Sequence, residues 1–441
     1  MYANRATLTF LSLALAGLPA CGNDGPNPSP PDASSVDATP RPDGPAAIDA
    51  GEPIDAEPID AGLPSFNLLD KLRPSDGKAN AEFGNDLAID GDRLLVGAPS
   101  DSNQGAAYVF EDADANMTWE EEDKLVAATP TAQDLFGFDV DIDGTRAVIG
   151  AGGDDTQFDA SGAAYIFERS DAGWDGGRKL TAETGATQAS FGRSVGLFGD
   201  LMIAASSIDG TAGAPTGAVY TFQKLATQWI ELGRDTPAAM TGDELESIYI
   251  DGALMAVGMN EIDRGGADTG SVYVFRRGND MWTQVDHLQP DPTDTNDNFG
   301  HDSIVLAGDL LVVGAKSDDT VASNAGAAYV FEKVTGEDRW AQVAKLTADD
   351  GAADDAFGQA VAAGAGLVVV GAPNHGGQGA VYVFARQGGA WGQVKKLTAL
   401  DGASGDRYGW SLALGAVLAV GAPYETQNGS RSGAVYLYLL D

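Results

Sequence analysis

The chain repeats itself seven times. A block of the pattern Gly-small-small-Tyr-x-aromatic recurs with its tyrosine at positions 108, 165, 220, 273, 329, 382 and 436. The spacings are 57, 55, 53, 56, 53 and 54 residues. Self-similarity at a nearly fixed period is the sequence signature of a repeat architecture, in which each unit buries its apolar face against its neighbours. This feature constrains the fold more than any other in the sequence.

Two further marks flank each tyrosine block. An aromatic-Gly pair opens most repeats, at Phe83-Gly84, Phe136-Gly137, Phe191-Gly192, Phe299-Gly300, Phe357-Gly358 and Tyr408-Gly409. The fourth repeat has Leu245-Glu246 instead. A Gly-Ala-Pro sequence follows in three repeats, at Gly97, Gly371 and Gly421. A tryptophan comes after the tyrosine block, at positions 119, 174, 229, 282, 340 and 391, and in four repeats a Lys-Leu pair closes the unit.

Each repeat predicts four short strands. Runs of β-branched, aromatic and aliphatic residues are separated by Gly/Asp turns, and no window has a helical period. Glycine accounts for 58 of 441 residues, about 13%, where roughly 7% is usual. Seven units of four antiparallel strands predict an all-β protein, a seven-bladed β-propeller.

The distribution of strands predicts how the ring closes. The strand that contains Trp and Lys-Leu follows the first six tyrosine blocks, but nothing like it follows Tyr436. A similar segment, Leu68-Leu69-Asp70-Lys71-Leu72, precedes the first Phe-Gly pair. We therefore expect the N-terminal strand of the propeller to complete the last blade.

The N-terminal segment is similar to a bacterial lipoprotein signal. Arg5 precedes an apolar run from Leu8 to Leu18, too short for a permanent membrane span, and Leu18-Pro19-Ala20-Cys21 resembles a lipobox. The resemblance implies that Cys21, the only cysteine, is lipidated. The alternative is an ordinary secretory signal with an incidental cysteine. Because glycine follows Cys21, where aspartate is associated with inner-membrane retention, we expect an outer-membrane lipoprotein, periplasmic or surface-exposed.

Residues 21–64 have the composition of a tether. Ten of the 20 prolines lie between Gly22 and Pro64, together with nine acidic residues and no aromatic residue. Such a segment buries too little apolar surface to order itself, so we expect disorder. The expected organisation is a signal peptide at 1–20, a disordered Pro/Asp/Ala-rich tether at 21–64 and the propeller at 65–441.

The combination of Phe-Gly, Val-Gly-Ala-Pro and Gly-Ala-Tyr-Val-Phe resembles the FG-GAP repeat of the integrin α propeller and its bacterial relatives. The resemblance implies a binding head that recognises protein or matrix ligands. Integrin repeats often carry a calcium loop between the first two strands, whereas the corresponding turns here have two or three residues. The nearest approach, Asp139 to Gly144, alternates in a way that places its aspartates on one face of a strand. We therefore expect no integrin-type calcium sites.

Several residues are candidates for a site. Asp134, Asp297, Asp355 and Asp406 each stand two residues before an aromatic-Gly pair. They form either a collar at the mouth of the central channel, suited to Ca²⁺ or a basic ligand, or local caps on turns. His301 follows Phe299-Gly300, and Trp410 follows Tyr408-Gly409 outside the repeated tryptophan position. Both are candidate ligand-binding residues.

Charge and residue content favour binding over catalysis. The chain has 65 acidic and 26 basic residues, a net charge of −39, which disfavours binding to nucleic acid. Three scattered histidines and the absence of a nucleophile motif indicate that the protein is not an enzyme. Carbohydrate binding is the alternative, and it requires exposed tryptophans. A propeller hydrolase is a third hypothesis, and it requires His301 beside carboxylates in the channel.

Overall fold

The computed structural model describes residues 64–155, 160–182, 189–207, 217–235, 244–260, 269–278, 281–291 and 297–440. The predicted signal peptide, Cys21 and the predicted tether up to residue 63 lie outside the described residues. None of the described residues belongs to a helix with the length and apolarity needed to cross a bilayer.

The described residues form seven antiparallel sheets, as the repeats predict. The first three blades consist of β2 (Leu87–Asp90), β3 (Arg93–Ala98), β4 (Ala106–Glu111) and β5 (Glu120–Leu125); β6 (Val140–Asp143), β7 (Arg146–Ala151), β8 (Ala163–Ser170), β9 (Gly173–Trp174) and β10 (Arg178–Leu180); and β11 (Val195–Phe198), β12 (Leu201–Ser206), β13 (Ala218–Leu225) and β14 (Gln228–Asp235). In the second blade the outer strand is divided into β9 and β10, which both pair with β8.

The next three blades have the same order of strands. They consist of β15 (Glu244–Asp251), β16 (Leu254–Asn260), β17 (Ser271–Gly278) and β18 (Met281–Leu288); β19 (Phe299–Ala307), β20 (Leu310–Ala315), β21 (Ala327–Lys333) and β22 (Trp340–Leu346); and β23 (Ala360–Gly364), β24 (Leu367–Ala372), β25 (Ala380–Gln387) and β26 (Ala390–Leu397). Two single-turn 3-10 helices, Asp101–Asn103 and His375–Gly377, lie in loops between second and third strands.

The seventh blade combines strands from both ends of the propeller. It contains β27 (Leu412–Leu414), β28 (Val417–Ala422), β29 (Ala434–Leu440) and β1 (Phe66–Leu72). Strand β1 pairs antiparallel with β29, with Lys71 opposite Tyr436 and Leu72 opposite Val435. The N-terminal strand thus takes the outer position that the strand count leaves vacant in the last repeat.

The apolar cores lie between blades. The described residues form seven apolar clusters, and each combines side chains of two neighbouring sheets. In the cluster between the last and first blades, Val417 and Leu437 pack with Leu94 and Phe83. Since every blade is covered on both faces by its neighbours, the ring leaves no face without a partner, which is why a single repeat could not be stable alone.

The phenylalanine of each Phe-Gly pair is a core residue. Phe83 is fully buried and meets Tyr108 edge-to-face, with ring centroids 5.5 Å apart. The same geometry joins Phe136 to Tyr165 at 5.2 Å. In the fourth repeat Leu245, also fully buried, takes the place of the phenylalanine. The two sequence marks of each repeat therefore meet inside the blade interface.

Candidate functional site at the mouth of the central channel

The first strands of the seven blades surround one central channel. These strands form the inner edge of each sheet, and they line a cavity of about 320 Å³. Asn85, Phe138, Gln359 and Trp410 line the same cavity and lie one or two residues before the first strands. They mark one end of the channel, which we call the mouth.

The same tight turn stands at the mouth in six blades. The residue after each aromatic-Gly pair donates its backbone N–H to the carbonyl of the residue before the pair, at 2.9–3.2 Å, as Phe138 does to Leu135. Gly137 has a φ of +91°, the left-handed value that the third position of a type II turn requires. The two central residues of each turn offer no side chain to a ligand, because the aromatic residue is buried and glycine has none. Only the first and last residues of each turn present side chains at the mouth.

The last residue of the turn, or its equivalent in the fourth blade, differs in every blade. We call this set the mouth ring, and its members are Asn85, Phe138, Arg193, Glu246, His301, Gln359 and Trp410. The fourth blade lacks this turn, but Glu246 takes the equivalent place, because the next residue, Ser247, pairs with Gly258 as Asp86 does with Gly97. Six turns and one equivalent position thus carry seven different side chains. The fold does not require this diversity, and a rigid scaffold with variable loop residues is the usual arrangement of a recognition surface.

The first residues of the six turns are also diverse, and their backbone is strained. Their φ angles lie between +50° and +62°, a region that residues other than glycine and asparagine rarely adopt. These residues are Glu82, Leu135, Ser190, Asn298, Ala356 and Arg407. Glycine would relieve the strain at each of them, yet none is glycine. Strain of this kind persists where the surrounding structure imposes it, often at functional sites.

Contacts order part of the mouth ring. Arg193 and Glu246 form an ion pair at 2.8 Å, and His301 Nε2 lies 3.8 Å from Glu246 Oε1. The guanidinium of Arg193 lies 5.8 Å from the ring centroid of Phe138, and Asn85 donates its amide N–H to the backbone carbonyl of Phe138. His301 is therefore at the mouth, as the sequence suggests, beside a carboxylate that already binds an arginine.

Trp410 is half-buried at the mouth rather than packed inside a blade. Its ring stacks on Tyr424, with centroids 6.0 Å apart and planes 27° from parallel. The guanidinium of Arg407 lies 5.4 Å from the Trp410 ring and 5.5 Å from the Tyr424 ring. Trp410 thus belongs to an aromatic and cationic cluster whose other members the sequence analysis did not identify.

The aspartates inside the channel bind backbone. Along β6, the carboxylates of Asp139, Asp141 and Asp143 accept the N–H groups of Val195, Leu197 and Gly199, on or next to the first strand of the next blade. Inner-edge strands have unpaired N–H groups, and these side chains satisfy them. Asp139, Asp141 and Asp143 therefore face one way along a strand, as their alternation predicts.

Burial changes the acidity of these channel groups. Burial raises the pKa of Asp141 to about 7, against the stabilising hydrogen bond from Leu197. Burial and the neighbouring carboxyl of Asp86 raise the pKa of Asp139 well above its usual range. These shifts follow from removing charge from water inside the channel.

Three of the four candidate collar aspartates cap local turns. Asp134, Asp355 and Asp406 are buried and accept the backbone N–H of the residue three positions earlier, at 2.6–2.7 Å. Asp297 is fully buried as well, and none of the four lines the channel. Asp134, Asp355 and Asp406 are turn caps, the alternative that the sequence left open. Within the described part of the chain, no group of three or more His, Cys, Asp or Glu side chains is arranged to hold a metal ion.

A network that the sequence analysis missed surrounds the mouth ring. In five blades, the tyrosine of the repeat block and the lysine of the Lys-Leu pair meet at one loop carboxylate, at 2.6–3.1 Å. The sets are Tyr108, Lys124 and Asp101; Tyr165, Lys179 and Asp154; Tyr329, Lys345 and Asp318; Tyr382, Lys396 and Asp350; and Tyr436, Lys71 and Asp401.

These networks connect loops on the mouth side to one another and to the strands of the blade. Lys124 and Tyr108 also bind Asp76, which belongs to a different loop from Asp101. Burial opposes ionisation of Asp76, but the hydrogen bonds from Lys124 and Tyr108 outweigh it and lower the pKa to about 2. The fixed positions of tyrosine and lysine in the repeats were the available sequence signal.

The repeated tryptophans pack between blades. Trp119, Trp229, Trp282 and Trp340 are buried, and Trp174 and Trp391 are half-buried. The indole N–H of Trp229 donates to Glu168, and that of Trp282 donates to Thr221, each in the preceding blade. The four buried tryptophans therefore do not provide the exposed sugar-stacking platforms that carbohydrate binding requires.

Comparison with known proteins agrees with this architecture. A family model described as FG-GAP repeat matches residues 66–110, 119–167, 174–222, 282–331, 340–384 and 391–438, more than half of the chain. A chain from the crystal structure of a mitotic checkpoint complex is similar over 90% of this chain and 98% of its own length, with a TM-score of 0.51 and 13% identity.

A proposed 6-phosphogluconolactonase from Bacteroides uniformis is similar over 72% of this chain and 86% of its own, with a TM-score of 0.49 and 11% identity. At these identities the likeness to solved structures concerns the fold alone. No curated protein sequence matches the chain significantly.

Proposed function

We propose that this chain, which belongs to the FG-GAP repeat family, is a non-catalytic cell-envelope protein. Its propeller head recognises a protein or matrix ligand at the channel mouth. The observation that carries the proposal is the mouth ring, in which seven equivalent positions bear seven different side chains. A ligand with a repeated unit, such as a polysaccharide, is best matched by repeated pockets. A ring without repetition suits an irregular partner such as a protein surface.

The rigidity of the mouth supports this proposal. In six blades the mouth-ring residue ends a turn that a buried aromatic side chain and blade-to-blade packing hold in place, and the lysine networks connect the surrounding loops. A preorganised surface loses little conformational entropy on binding. The channel itself holds about 320 Å³, which admits a side chain but not a folded segment. The partner therefore covers the mouth instead of passing through it.

Binding without catalysis agrees with the chemistry of the mouth. The carboxylate nearest His301 binds Arg193, and the channel aspartates accept backbone N–H groups, so these acids already have structural partners. We further propose that acylated Cys21 anchors the protein in the outer membrane of a bacterium. The acidic, proline-rich segment then holds the head away from the bilayer, on its periplasmic or outer side.

Site-specific photocrosslinking in living cells tests the proposed function. Benzoylphenylalanine replaces Phe138, whose side chain is exposed at the mouth. The matched control carries it at Met281, which is 69% exposed at the hairpin end of β17 and β18, away from the mouth. The proposal expects one defined protein adduct from position 138 and none from position 281. Equal labelling from both positions, or adducts from neither, contradicts it.

A further inference from the structure

We propose that Arg407, Trp410 and Tyr424 form a subsite of the mouth that binds a carboxylate, the side chain of an aspartate or glutamate on a protein partner. We call it the Arg407 subsite. It rests on the proposed function and names the chemistry by which one sector of the mouth recognises its partner.

The geometry of the Arg407 subsite is that of a stacked arginine. The guanidinium of Arg407 lies 5.4 Å from the Trp410 centroid and 5.5 Å from the Tyr424 centroid, within cation–π range of both rings. The two rings stack on each other at 6.0 Å. The guanidinium of Arg431 lies 3.8 Å from Tyr424 and holds Glu82 at 2.8 Å. The rings thus restrict Arg407 without engaging the N–H donors at its edge.

Arg407 has no carboxylate partner among the described residues. The contacts of its side chain there are the two aromatic rings, and the side chain makes no ion pair or hydrogen bond with a described residue. The other arginines at the mouth differ, because Arg193 pairs with Glu246 and Arg431 pairs with Glu82. In a chain with 65 acidic residues and 26 basic ones, an arginine whose side chain pairs with no described carboxylate is an available anion-binding group.

The backbone conformation at Arg407 is unfavourable for an arginine, which indicates that the arginine side chain serves a purpose other than forming the turn. Its φ of +62° is in the left-handed region, where an arginine costs more than glycine. Asparagine, which tolerates this region better, stands at the equivalent Asn298. The turn therefore forms with other residues, and arginine brings its charge to the mouth at the expense of backbone strain.

A carboxylate on a protein is the ligand that fits this arrangement. A planar guanidinium offers two parallel N–H donors that match the two oxygens of a carboxylate, and lysine cannot reproduce this fork. The net charge of −39 repels small free anions at long range. This repulsion matters less for a carboxylate on a protein partner, because the partner's other contacts with the mouth ring contribute to the affinity of the complex.

The crosslinking strain with benzoylphenylalanine at position 138 tests the subsite. Arg407→Gln removes the charge, Arg407→Lys keeps the charge but loses the fork, and Arg178→Gln removes an exposed arginine from an outer strand as the matched control. Loss of a charge-assisted hydrogen bond predicts that Arg407→Gln lowers the adduct yield about tenfold. Arg407→Lys should be intermediate, and Arg178→Gln should match the parent.

The outcomes separate the subsite from the proposed function. An unchanged adduct yield with Arg407→Gln overturns the subsite while leaving recognition at the mouth intact. Absence of any adduct from position 138 in the parent overturns the proposed function itself. Thermal unfolding of each purified full-length variant verifies that a lost adduct does not reflect a misfolded head.

A peptide titration identifies the chemistry directly. The probes are the amidated peptides acetyl-Gly-Leu-Glu-Leu-Gly and acetyl-Gly-Leu-Gln-Leu-Gly, together with inorganic phosphate, and the signal is the NMR resonance of the Arg407 Nε–H group. We expect the glutamate peptide to shift this resonance at concentrations about tenfold lower than the glutamine peptide does. We expect the shift to shrink in Trp410→Leu. Equal effects of both peptides, or a stronger effect of phosphate, overturn the carboxylate assignment.

Discussion

A β-carbon on Gly97 would stand 2.1 Å from the carbonyl oxygen of Gly137 in the next blade. The same contact recurs at 2.0 Å between Gly314 and Gly358, and between Gly371 and Gly409. The glycine at the Gly-Ala-Pro position of one repeat, which in the fifth repeat is the Gly314 of Gly-Ala-Lys, and the glycine of the next aromatic-Gly pair are therefore where neighbouring blades touch backbone to backbone. The mouth turns owe their fixed positions to these contacts.

Gly97→Ala tests this contact. The methyl group cannot fit, so the first and second blades must separate locally, and we expect a loss of several kcal/mol in the free energy of unfolding. Gly233→Ala, in the outer strand β14 where no atom lies within 4 Å of the added carbon, is the control. Denaturant unfolding measures both. A small effect of Gly97→Ala, similar to that of the control, would contradict the interpretation.

The buried carboxylate of Asp318 makes Lys345 important for stability. Lys345 lies 2.6 Å from Asp318, whose side chain is nearly inaccessible to water. Lys345→Met leaves an uncompensated buried charge, and we expect a loss of about 3 kcal/mol. The double variant Lys345→Met/Asp318→Asn should recover part of this loss, because the remaining amide is neutral. A double-mutant cycle by denaturant unfolding gives the coupling energy, and additive effects would argue against it.

The free energy of unfolding should decrease as pH rises from 3.8 to about 7, the two pKa values of Asp141 in the unfolded and folded chain. Its pKa rises from 3.8 to about 7 on folding, so between these values the folded state binds more protons than the unfolded chain. The contribution of this group is complete below pH 4 and lost as pH approaches 7. Asp86 and Asp139 act in the same sense.

Asp141→Asn keeps an acceptor for the Leu197 N–H and removes the titration. We expect it to raise the unfolding temperature at pH 8 by a few degrees, equivalent to roughly 1–3 kcal/mol, and to have little effect at pH 4. Asp143→Asn, which alters the equivalent bond to Gly199, is the matched control. An equal effect of Asp141→Asn at both pH values would exclude the titration as the cause.

Strand β1 should be required for a cooperative fold. It covers β29 and supplies Lys71, which binds Asp401 at 2.7 Å and Glu425 at 3.1 Å. A chain that starts at residue 73 leaves β29 as an exposed edge, which favours aggregation. We expect a broadened unfolding transition and soluble aggregates by light scattering, compared with a chain that starts at residue 64. Identical transitions would show that ring closure does not depend on this strand.

Cys21→Ala tests the lipid anchor. If the cysteine is acylated, its loss should move the protein from the membrane fraction to the soluble fraction, and labelling with an alkyne fatty acid should disappear. A Gly22→Ala variant serves as the control because it leaves the cysteine in place. A Cys21→Ala protein that remains in the membrane would contradict lipidation and favour another means of attachment.

The repeated sequence pattern is sufficient to specify the architecture of the propeller. Seven copies of a four-strand pattern define seven blades, and the missing outer strand in the last copy identifies β1 as its replacement. These inferences succeed because they depend on short-range patterns, alternation and turn residues, repeated often enough to average out local exceptions. The packing role of Trp229 and Trp282 likewise follows from their fixed position in the repeat.

The contacts between side chains of different blades cannot be read from the repeat pattern and depend on the folded ring. Asp134 and Asp141 are both aspartates of the second repeat, yet Asp134 caps a turn and Asp141 faces the channel. Glu246 and Arg193 are 53 residues apart and form an ion pair because closing the ring brings equivalent turns of neighbouring blades together. The Arg407 subsite depends on Tyr424, which comes from a different loop. Spacing along the chain specifies each blade, but the curvature of the closed ring sets the distances between blades.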